Sequence, residues 1–278
     1  MATGPADSPG GERLGLADRL RPLLGGRDGS GGLWTSVRVV ASTGSTNADL
    51  LARGGPEGQV LVAEVQTAGR GRAGRTWVSR PGESLTFSVL LRPASVPPAA
   101  RGWLPLLTGV AVAAGVRSAA GVAARLKWPN DVLVGDRKLA GILAEQSSDG
   151  DAVVVGVGLN TAMREGALPV SPTGLPATSL LVEGADVGRE VVLAEILRSL
   201  ERWYLVFSAD PDPVRSGLLA QYRSACATLG RQVRVELPAG RVLAGTAEDV
   251  DPAGRLLVRP AGAASATPVS AGDVVHLR

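Results

Sequence analysis

Residues 125–160 read RLKWPNDVLVGDRKLAGILAEQSSDGDAVVVGVGLN, and four strand-like segments follow one another within this stretch. The segments cover 125–128, 131–134, 138–145 and 152–159. Pro-Asn, Gly-Asp and Ser-Ser-Asp-Gly sequences separate them, and such residues are typical of tight turns between strands. The stretch therefore predicts a run of strands joined by short turns.

Further strands and helices are predicted around this run. The strands are expected at 33–41, 59–65 and 84–91, with a polar turn at 42–45 after the first of them. Helices are expected at 46–53, 105–119, 191–207 and 213–225, and 191–207 places its apolar side chains on one face. We therefore expect residues 33–226 to form an α+β domain, a mixed β-sheet flanked by helices.

The two ends of the chain differ from this central part in composition. Residues 1–32 are rich in Gly, Pro and Asp, and we interpret them as a flexible N-terminal segment with a docking helix at 14–24. Short strands are predicted at 231–237, 241–250, 255–259 and 268–277, and Pro-Ala-Gly and Asp-Pro-Ala-Gly turns join the first three. Residues 227–278 are therefore expected to form a small β-barrel.

The composition argues against several classes of protein. The formal net charge of +3 is too small to indicate a nucleic-acid partner. A single cysteine, Cys226, and a single histidine, His276, exclude an intrachain disulfide and a Cys/His zinc cluster. We see no signal peptide and no segment approaching the roughly 20 apolar residues of a membrane helix. A cytoplasmic protein without nucleic-acid or membrane partners is expected.

The loop at 68–77, AGRGRAGRTW, alternates glycines with Arg70, Arg72 and Arg75. Glycine lets the backbone approach a ligand closely, and the planar guanidinium matches phosphate or carboxylate oxygens. The alternatives are a solvated surface loop and a disordered Arg/Gly RNA-binding segment. Because the loop lies between two predicted strands and ends in Trp77, which can cover a ring, a phosphate-binding loop is favoured.

A second candidate is the turn Lys127-Trp-Pro-Asn-Asp131, followed by Lys138 on the next strand. These two lysines are the only ones in the chain. The ammonium of Lys138 can neutralise a carboxylate as that carboxylate attacks phosphorus. Asp131 can hold an amine or a magnesium ion. The alternative is an ordinary hairpin with a surface ion pair, which this turn by itself favours.

Two weaker candidates complete the set. The segment 42–47, STGSTN, offers hydrogen-bonding side chains at a helix start and suits a ligand with urea-like edges, although the segment by itself favours helix capping. The segment 153–160, VVVGVGLN, has glycines that admit a ligand and ends in an amide, although it also fits a plain core strand.

Taken in order, these segments resemble the biotin–protein ligase family from about residue 43 to 179. The matching motifs are Ser45-Thr-Asn47, Gln66-Thr-Ala-Gly-Arg-Gly-Arg72, Lys127-Trp-Pro-Asn-Asp131, Lys138-Leu-Ala-Gly-Ile-Leu143 and Gly156-Val-Gly-Leu-Asn160. The resemblance implies a sheet like that of class II aminoacyl-tRNA synthetases and biotin ligases, with a small C-terminal SH3-like barrel. It also looks like the ligase-only type, because the chain has no room for the DNA-binding domain of bifunctional members.

The resemblance implies a role for each matched residue. The residues expected to bind biotin are Ser45, Thr46, Asn47, Gln66, Gly69, Arg70, Gly71, Arg72, Lys138 and Gly141. The residues expected to bind ATP are Arg72, Arg75, Trp77, Asn130, Asp131, Lys138 and Asn160. The catalytic residues would be Lys138, Arg70, Arg72 and Asp131, with Asp131 also the candidate metal ligand.

The implied activity is formation of biotinyl-5'-AMP from biotin and ATP, with Mg2+, and transfer of biotin to a lysine of a biotin carboxyl carrier protein domain of acyl-CoA carboxylase. A lipoate–protein ligase is the nearest alternative, but its Arg- and Gly-rich motif ends in a histidine that this chain lacks. A nucleic-acid-binding repressor is the alternative from another class. The oligomeric state stays open, with a homodimer one alternative.

Overall fold

A computed structural model describes residues 15–23, 32–169 and 174–277. Seven strands form its larger sheet: β1 (Ser36–Thr43), β2 (Gln59–Gln66), β3 (Ser84–Leu91), β4 (Arg125–Lys127), β5 (Asp131–Val134), β6 (Arg137–Gln146) and β7 (Val153–Asn160). Their order is β1-β2-β3-β7-β6-β5-β4. Only β1 and β2 are parallel, and the remaining neighbours are antiparallel. The sheet is therefore mixed, as the sequence predicts.

Strand β3 lies inside this sheet, between β2 and β7, and agrees with the predicted range 84–91. Successive side chains of a strand point to opposite faces. Leu85, Phe87 and Val89 are buried in the main hydrophobic core. Their alternates are hydroxyl residues, Ser84-x-Thr86-x-Ser88. The strand thus has an apolar face and a polar face, and the polar one borders the candidate site.

Helices α1 (Leu16–Leu23), α2 (Thr46–Arg53), α3 (Trp103–Ala120), α4 (Arg189–Ala209) and α5 (Leu218–Ala225) complete the larger unit. Helices α3 and α4 pack closely, since a Cβ at Gly115 would lie 2.6 Å from the nitrogen of Ile196. By length and composition α3 is apolar enough to cross a membrane, with hydropathy 1.3, although the sequence analysis found no such segment. It is 67% buried within the protein, and packing in the core accounts for its composition.

The N-terminal helix packs on the larger unit. Leu16 and Leu20 of α1 are buried in the main core, so the docking helix predicted at 14–24 is present within 15–23. The rest of the predicted flexible segment, 1–14 and 24–31, lies outside the described residues.

A smaller antiparallel sheet contains β8 (Gln232–Glu236), β9 (Val242–Val250), β10 (Leu256–Arg259), β11 (Thr267–Val269) and β12 (Asp273–His276). Their order is β11-β10-β9-β8-β12. The sheet is consistent with the small barrel-like domain that was expected. Its buried valines, including Val233 and Val258, belong to the same core as the larger sheet. The division at residues 226 and 227 stays a prediction.

Three predicted elements differ from the structure by three residues or more. The first strand begins at Ser36 instead of 33, and its last pairs, Ser42 with Val65 and Thr43 with Gln66, occupy the predicted turn. The last helix begins at Leu218 instead of 213, because Gly217 has a left-handed φ of +76° that breaks the helix. The strand predicted at 268–277 is divided, because β11 pairs with β10 whereas β12 pairs with β8 at the opposite edge.

Candidate functional site

A cavity of about 490 Å³ opens between the loop at 68–77, which we call the Gly/Arg loop, the polar face of the sheet and the first residues of β12. Almost all predicted site residues line it: Ser45, Thr46, Asn47, Gln66, Arg70, Gly71, Arg72, Arg75, Trp77, Asn130, Asp131, Lys138, Gly141 and Asn160. Gly69 does not. A Cβ there would lie 2.5 Å from the carbonyl oxygen of Trp77, so Gly69 permits a close approach within the loop. Four sequence segments thus meet at one site.

Asp131 lies between the two lysines of the chain. Its Oδ1 is 2.6 Å from Nζ of Lys138, and its Oδ2 is 3.3 Å from Nζ of Lys127. Burial alone would raise the pKa of Asp131, but the two ammonium groups outweigh it and hold that pKa below its usual value. Burial lowers the pKa of Lys127, and Asp131 opposes this shift. The cluster is a largely buried carboxylate with two counter-charges, and both lysines line the cavity.

Lys127 belongs to a predicted motif, but the sequence analysis gave it no role. It is only 8% exposed, and the β4–β5 hairpin places it directly opposite Asp131. A lysine is rarely buried unless it is paired. The i, i+4 spacing across a two-strand turn was the available signal, since it brings both side chains to one face of the hairpin.

The Gly/Arg loop folds back on itself. The nitrogen of Gly71 donates to the carbonyl of Arg75 at 2.7 Å, and Ala73 has a left-handed φ of 53°. Nη2 of Arg70 lies 3.2 Å from Oε1 of Glu145 in β6, and Arg75 forms an ion pair with Asp273 in β12. Both ends of the loop are thereby tied to carboxylates on strands.

Arg72 lies between these two ties and points to the cavity. Burial lowers the pKa of its guanidinium, while the nearby carboxylates of Asp273 and Asp131 oppose that shift. A guanidinium that is partly desolvated and has no carboxylate within ion-pair distance among the described residues is ready to bind an anionic ligand.

A hydrogen-bond network organises the other end of the cavity. Oε1 of Gln66 accepts from the nitrogen of Thr46 at 2.8 Å and from its hydroxyl at 3.0 Å. The hydroxyl of Ser88 lies 2.6 Å from both Oγ1 of Thr46 and Oδ1 of Asn47. Nδ2 of Asn47 donates to Oε2 of Glu145 at 2.8 Å. Since this amide nitrogen is occupied within the protein, Asn47 can offer only its oxygen to a ligand.

Ser45 differs from these residues because its hydroxyl is used locally. It accepts a hydrogen bond from the nitrogen of Ala48 at 3.4 Å and so forms the N-cap of α2. The helix-capping alternative is therefore correct for Ser45, although the residue also borders the cavity.

The indole of Trp77 lies flat against β7. A Cβ at Gly158 would come within 2.1 Å of the Trp77 ring, so only glycine leaves room for it. The floor of the cavity also contains polar atoms without a partner among the described residues: Nε1 of Trp77, Oδ1 of Asn160 and Oγ1 of Thr86. Buried polar groups are normally hydrogen-bonded, and these exceptions border a cavity, which indicates a polar ligand.

Thr86, Ser88, Glu145 and Asp273 were missed by the sequence analysis. The alternation Ser84-x-Thr86-x-Ser88 within an apolar strand was a usable signal for the two hydroxyls. Nothing near Asp273 in the sequence indicates its contact with Arg75, which lies 198 positions away.

The described residues contain no group of three or more His, Cys, Asp or Glu side chains that could hold a metal ion. Both oxygens of Asp131 meet a lysine. The residues therefore fit a magnesium ion that arrives with nucleotide phosphates, which is a usual arrangement, and they do not form a metal site of their own. A direct bond from Asp131 to magnesium stays a prediction.

Comparison with known proteins agrees with this geometry. Residues 36–160 match the model of the Biotin/lipoate A/B protein ligase family, and residues 228–277 match that of the Biotin protein ligase C terminal domain. The chain belongs to the biotin/lipoate protein ligase family.

Two curated relatives and one solved structure show how far the similarity extends. The chain is 45% identical to the biotin--[acetyl-CoA-carboxylase] ligase of Mycobacterium tuberculosis, over 94% of this chain and 98% of the relative. It is 36% identical to the ligase of the same description from Paracoccus denitrificans, over 81% of this chain and 95% of the relative. Biotin protein ligase from Aquifex aeolicus in complex with biotin and ATP superimposes with a TM-score of 0.74 at 28% identity, covering 88% of this chain and all of that one.

Proposed function

We propose that this chain is an ATP-dependent biotin–protein ligase. It joins biotin and ATP into biotinyl-5'-AMP, and then transfers the biotinyl group to a lysine of a biotin carboxyl carrier protein domain of an acyl-CoA carboxylase. The observation that carries the proposal is that Arg70, Arg72 and Lys138 line one cavity together with the polar Thr46–Asn47–Gln66 network. Positive groups and a polar pocket are what two anionic substrates, one with a urea ring, require.

In the first step a carboxylate oxygen of biotin attacks the α-phosphorus of ATP, and the bond to the departing pyrophosphate breaks. Both reactants are anions, so their approach costs electrostatic energy unless cations lie between them. In this proposal Lys138 contacts the carboxylate and the α-phosphate, and Arg70 and Arg72 close over them; the presence of all three residues in the cavity lining supports these roles. When bound together with ATP, magnesium would supply positive charge to the phosphates, and Asp131 is the residue of this chain proposed to hold it.

In the second step the amine of the carrier lysine attacks the acyl carbon, and AMP leaves with the bonding electron pair. The amine must be uncharged to attack, and as the amide forms it loses one proton, which the phosphate of the leaving AMP takes up. In this proposal Asp131 orients this amine, and the ion pairs that keep its carboxylate ionised beside Lys127 and Lys138 support that role. The mixed anhydride hydrolyses in water, so the Gly/Arg loop also has to exclude solvent. This reaction sequence belongs in the cytoplasm, with biotin, ATP and the carrier as partners.

The function is tested by mass spectrometry of a purified carrier domain after incubation with the protein, biotin and MgATP. We expect a mass increase of one biotinyl group on one lysine. A carrier in which that lysine is arginine is the matched control and should stay unmodified. Biotin-dependent ATP–pyrophosphate exchange compared with lipoate-dependent exchange separates the two ligase activities. An unmodified carrier with no exchange on biotin would contradict the proposal.

Thr86→Val is expected to weaken biotin binding about tenfold without lowering the melting temperature. Thr86 is 3% exposed, and its hydroxyl has no partner among the described residues, so it contributes nothing to the empty fold. Removing an unpaired buried hydroxyl is neutral or stabilising, whereas losing a bond to the ligand costs roughly 0.5–1.5 kcal/mol. Calorimetric titration with biotin and thermal unfolding measure the two effects.

Thr86→Ser is the matched control, because it keeps the hydroxyl and should retain most of the affinity. A fall in melting temperature with unchanged biotin affinity in the valine variant would mean that the hydroxyl serves the fold.

A further inference from the structure

Trp128 is the first residue of the turn between Lys127 and Asp131, and it is hydrogen-bonded to two residues of the C-terminal region. It is 1% exposed. Its backbone nitrogen donates to Oγ1 of Thr228 at 3.1 Å, and its indole Nε1 donates to the carbonyl of Gly254 at 3.0 Å. These acceptors lie 100 and 126 positions further along the chain. The turn at 127–131, which we call the active-site turn, is therefore bonded to residues that were predicted to belong to a separate unit.

Gly254 ends the turn 251–254 between β9 and β10, which we call the clasp turn. The carboxylate of Asp251 holds it, since Oδ1 accepts from the nitrogens of Ala253 and Arg255 at 3.0 Å each. The nitrogen of Gly254 donates to the carbonyl of Asp251 at 2.8 Å, and the φ of Gly254 is +77°. These bonds lie within the clasp turn itself, so they orient its carbonyl groups independently of the bond to Trp128.

The clasp turn has a second tryptophan contact. Nε1 of Trp103, at the start of α3, donates to the carbonyl of Pro252 at 2.8 Å. Trp103 is also 1% exposed, but it is not part of the segment that carries Lys127 and Asp131. The two tryptophans thus make the same type of bond to the same turn, and only Trp128 lies in a segment whose next residues, Lys127 and Pro129, line the cavity.

The opposite side of the active-site turn is held by β6. Nδ2 of Asn130 donates to the carbonyl of Ile142 at 3.1 Å, and the nitrogen of Ile142 donates to the carbonyl of Asn130 at 2.9 Å. Asn130 therefore has contacts from β6 on one side, while its neighbour Trp128 has contacts from the C-terminal region on the other. Nε2 of His276, the only histidine of the chain, lies 3.1 Å from Oγ1 of Thr228 and adds to that second support.

We propose that Trp128 is a positioning residue through which Thr228 and the clasp turn set the placement of Asn130 and Asp131 in the cavity. Reaction rates are sensitive to such placement, since a shift of about 1 Å in reacting groups can cost on the order of a hundredfold in rate. The proposal rests on the proposed function, because its test measures adenylation. The C-terminal sheet acts here on the nucleotide end of the site, away from the Thr46–Asn47–Gln66 network.

The test compares Trp128→Phe with Trp103→Phe in biotin-dependent ATP–pyrophosphate exchange. Each substitution removes one indole donor to the clasp turn and leaves a similar gap, so both should lower the melting temperature by similar amounts. Trp128→Phe should lower kcat and raise the KM for MgATP, for a combined loss of about tenfold or more in kcat/KM, with the KM for biotin within about twofold. Trp103→Phe should leave all three constants within about twofold of the wild type.

Equal kinetic losses in the two variants, or none in Trp128→Phe, would overturn the proposal. A second pair covers the case in which Trp128→Phe does not fold. Thr228→Val removes the acceptor of the Trp128 nitrogen and should raise the KM for MgATP as Trp128→Phe does. Thr228→Ser keeps the hydroxyl, so its kinetic constants should stay close to those of the wild type. If the wild-type protein forms no biotinyl-AMP, the proposed function fails; if it does and the variants behave alike, only the positioning role fails.

Discussion

Lys138→Ala should lower the rate of biotinyl-AMP formation by about a hundredfold to a thousandfold, the usual cost of removing one group that stabilises developing charge. Lys138 lines the cavity, and its Nζ lies 2.6 Å from Oδ1 of Asp131, another residue of the cavity lining. The backbone around it is held by bonds to the carbonyl of Pro176 at 2.7 Å and from the nitrogen of Thr178 at 2.8 Å. Without this ammonium, the biotin carboxylate and the α-phosphate lose the one cation proposed to contact both of them, so their mutual repulsion is less well compensated. Biotin-dependent ATP–pyrophosphate exchange measures the loss.

The matched control is Arg137→Ala, which removes a positive charge from the adjacent position of β6. The Arg137 side chain is 41% exposed and pairs with Glu183 at 2.8 Å, outside the cavity wall. It should leave the exchange rate within about twofold. The fold of Lys138→Ala should persist, because Asp131 keeps its second partner, Lys127. Near-normal exchange by a folded Lys138→Ala protein would show that the role assigned to this lysine is wrong.

Arg72→Ala is expected to release biotinyl-AMP about ten to a hundred times faster than the wild type. The Arg72 guanidinium lies between Asp131 and Asp273 and faces the cavity, so it is available to the carboxyl and phosphate oxygens of the adenylate. A hydrogen bond to a charged group contributes about 1.5–3 kcal/mol, which corresponds to this range of dissociation rates. The measurement is a chase experiment, in which preformed radiolabelled adenylate is diluted into excess unlabelled biotin and ATP.

Arg80→Ala is the control for this experiment. It removes an exposed arginine from the same connection between β2 and β3, and its side chain does not line the cavity. Its dissociation rate should equal that of the wild type. If Arg72→Ala retains the adenylate as long as the wild type does, the Gly/Arg loop is not the element that encloses the intermediate.

Much of the fold follows from patterns that are local in the sequence. The helix predicted at 46–53 and the strand predicted at 84–91 have the limits found in the structure. The boundary residues of the helix act on their immediate neighbours, since Ser45 caps its start and Gly54 ends it. The four strands after residue 125 are likewise separated by residue types that favour turns locally. Local propensity and periodicity are sufficient for such elements.

The candidate site could be predicted in part for the same reason. The Gly/Arg loop, the Lys127–Asp131 turn and the 153–160 strand each carry a recognisable combination of residue types. Their order along the chain indicated a shared site before their distances were known. The sequence patterns left the partners of these residues undetermined, because a partner such as Glu145 or Asp273 is an ordinary charged residue in its own segment.

The amino-acid sequence by itself determined the α+β class, the flanking small sheet and the segments that carry charge and glycine, because these depend on residues within a few positions of one another. Only the tertiary structure decided that Arg75 meets Asp273, that Lys127 is buried beside Asp131, and that Trp128 is held by Thr228 and Gly254. These contacts arise when strands distant in the sequence pack side by side. Side-chain pairing across such a distance depends on strand order and register, which no local pattern encodes.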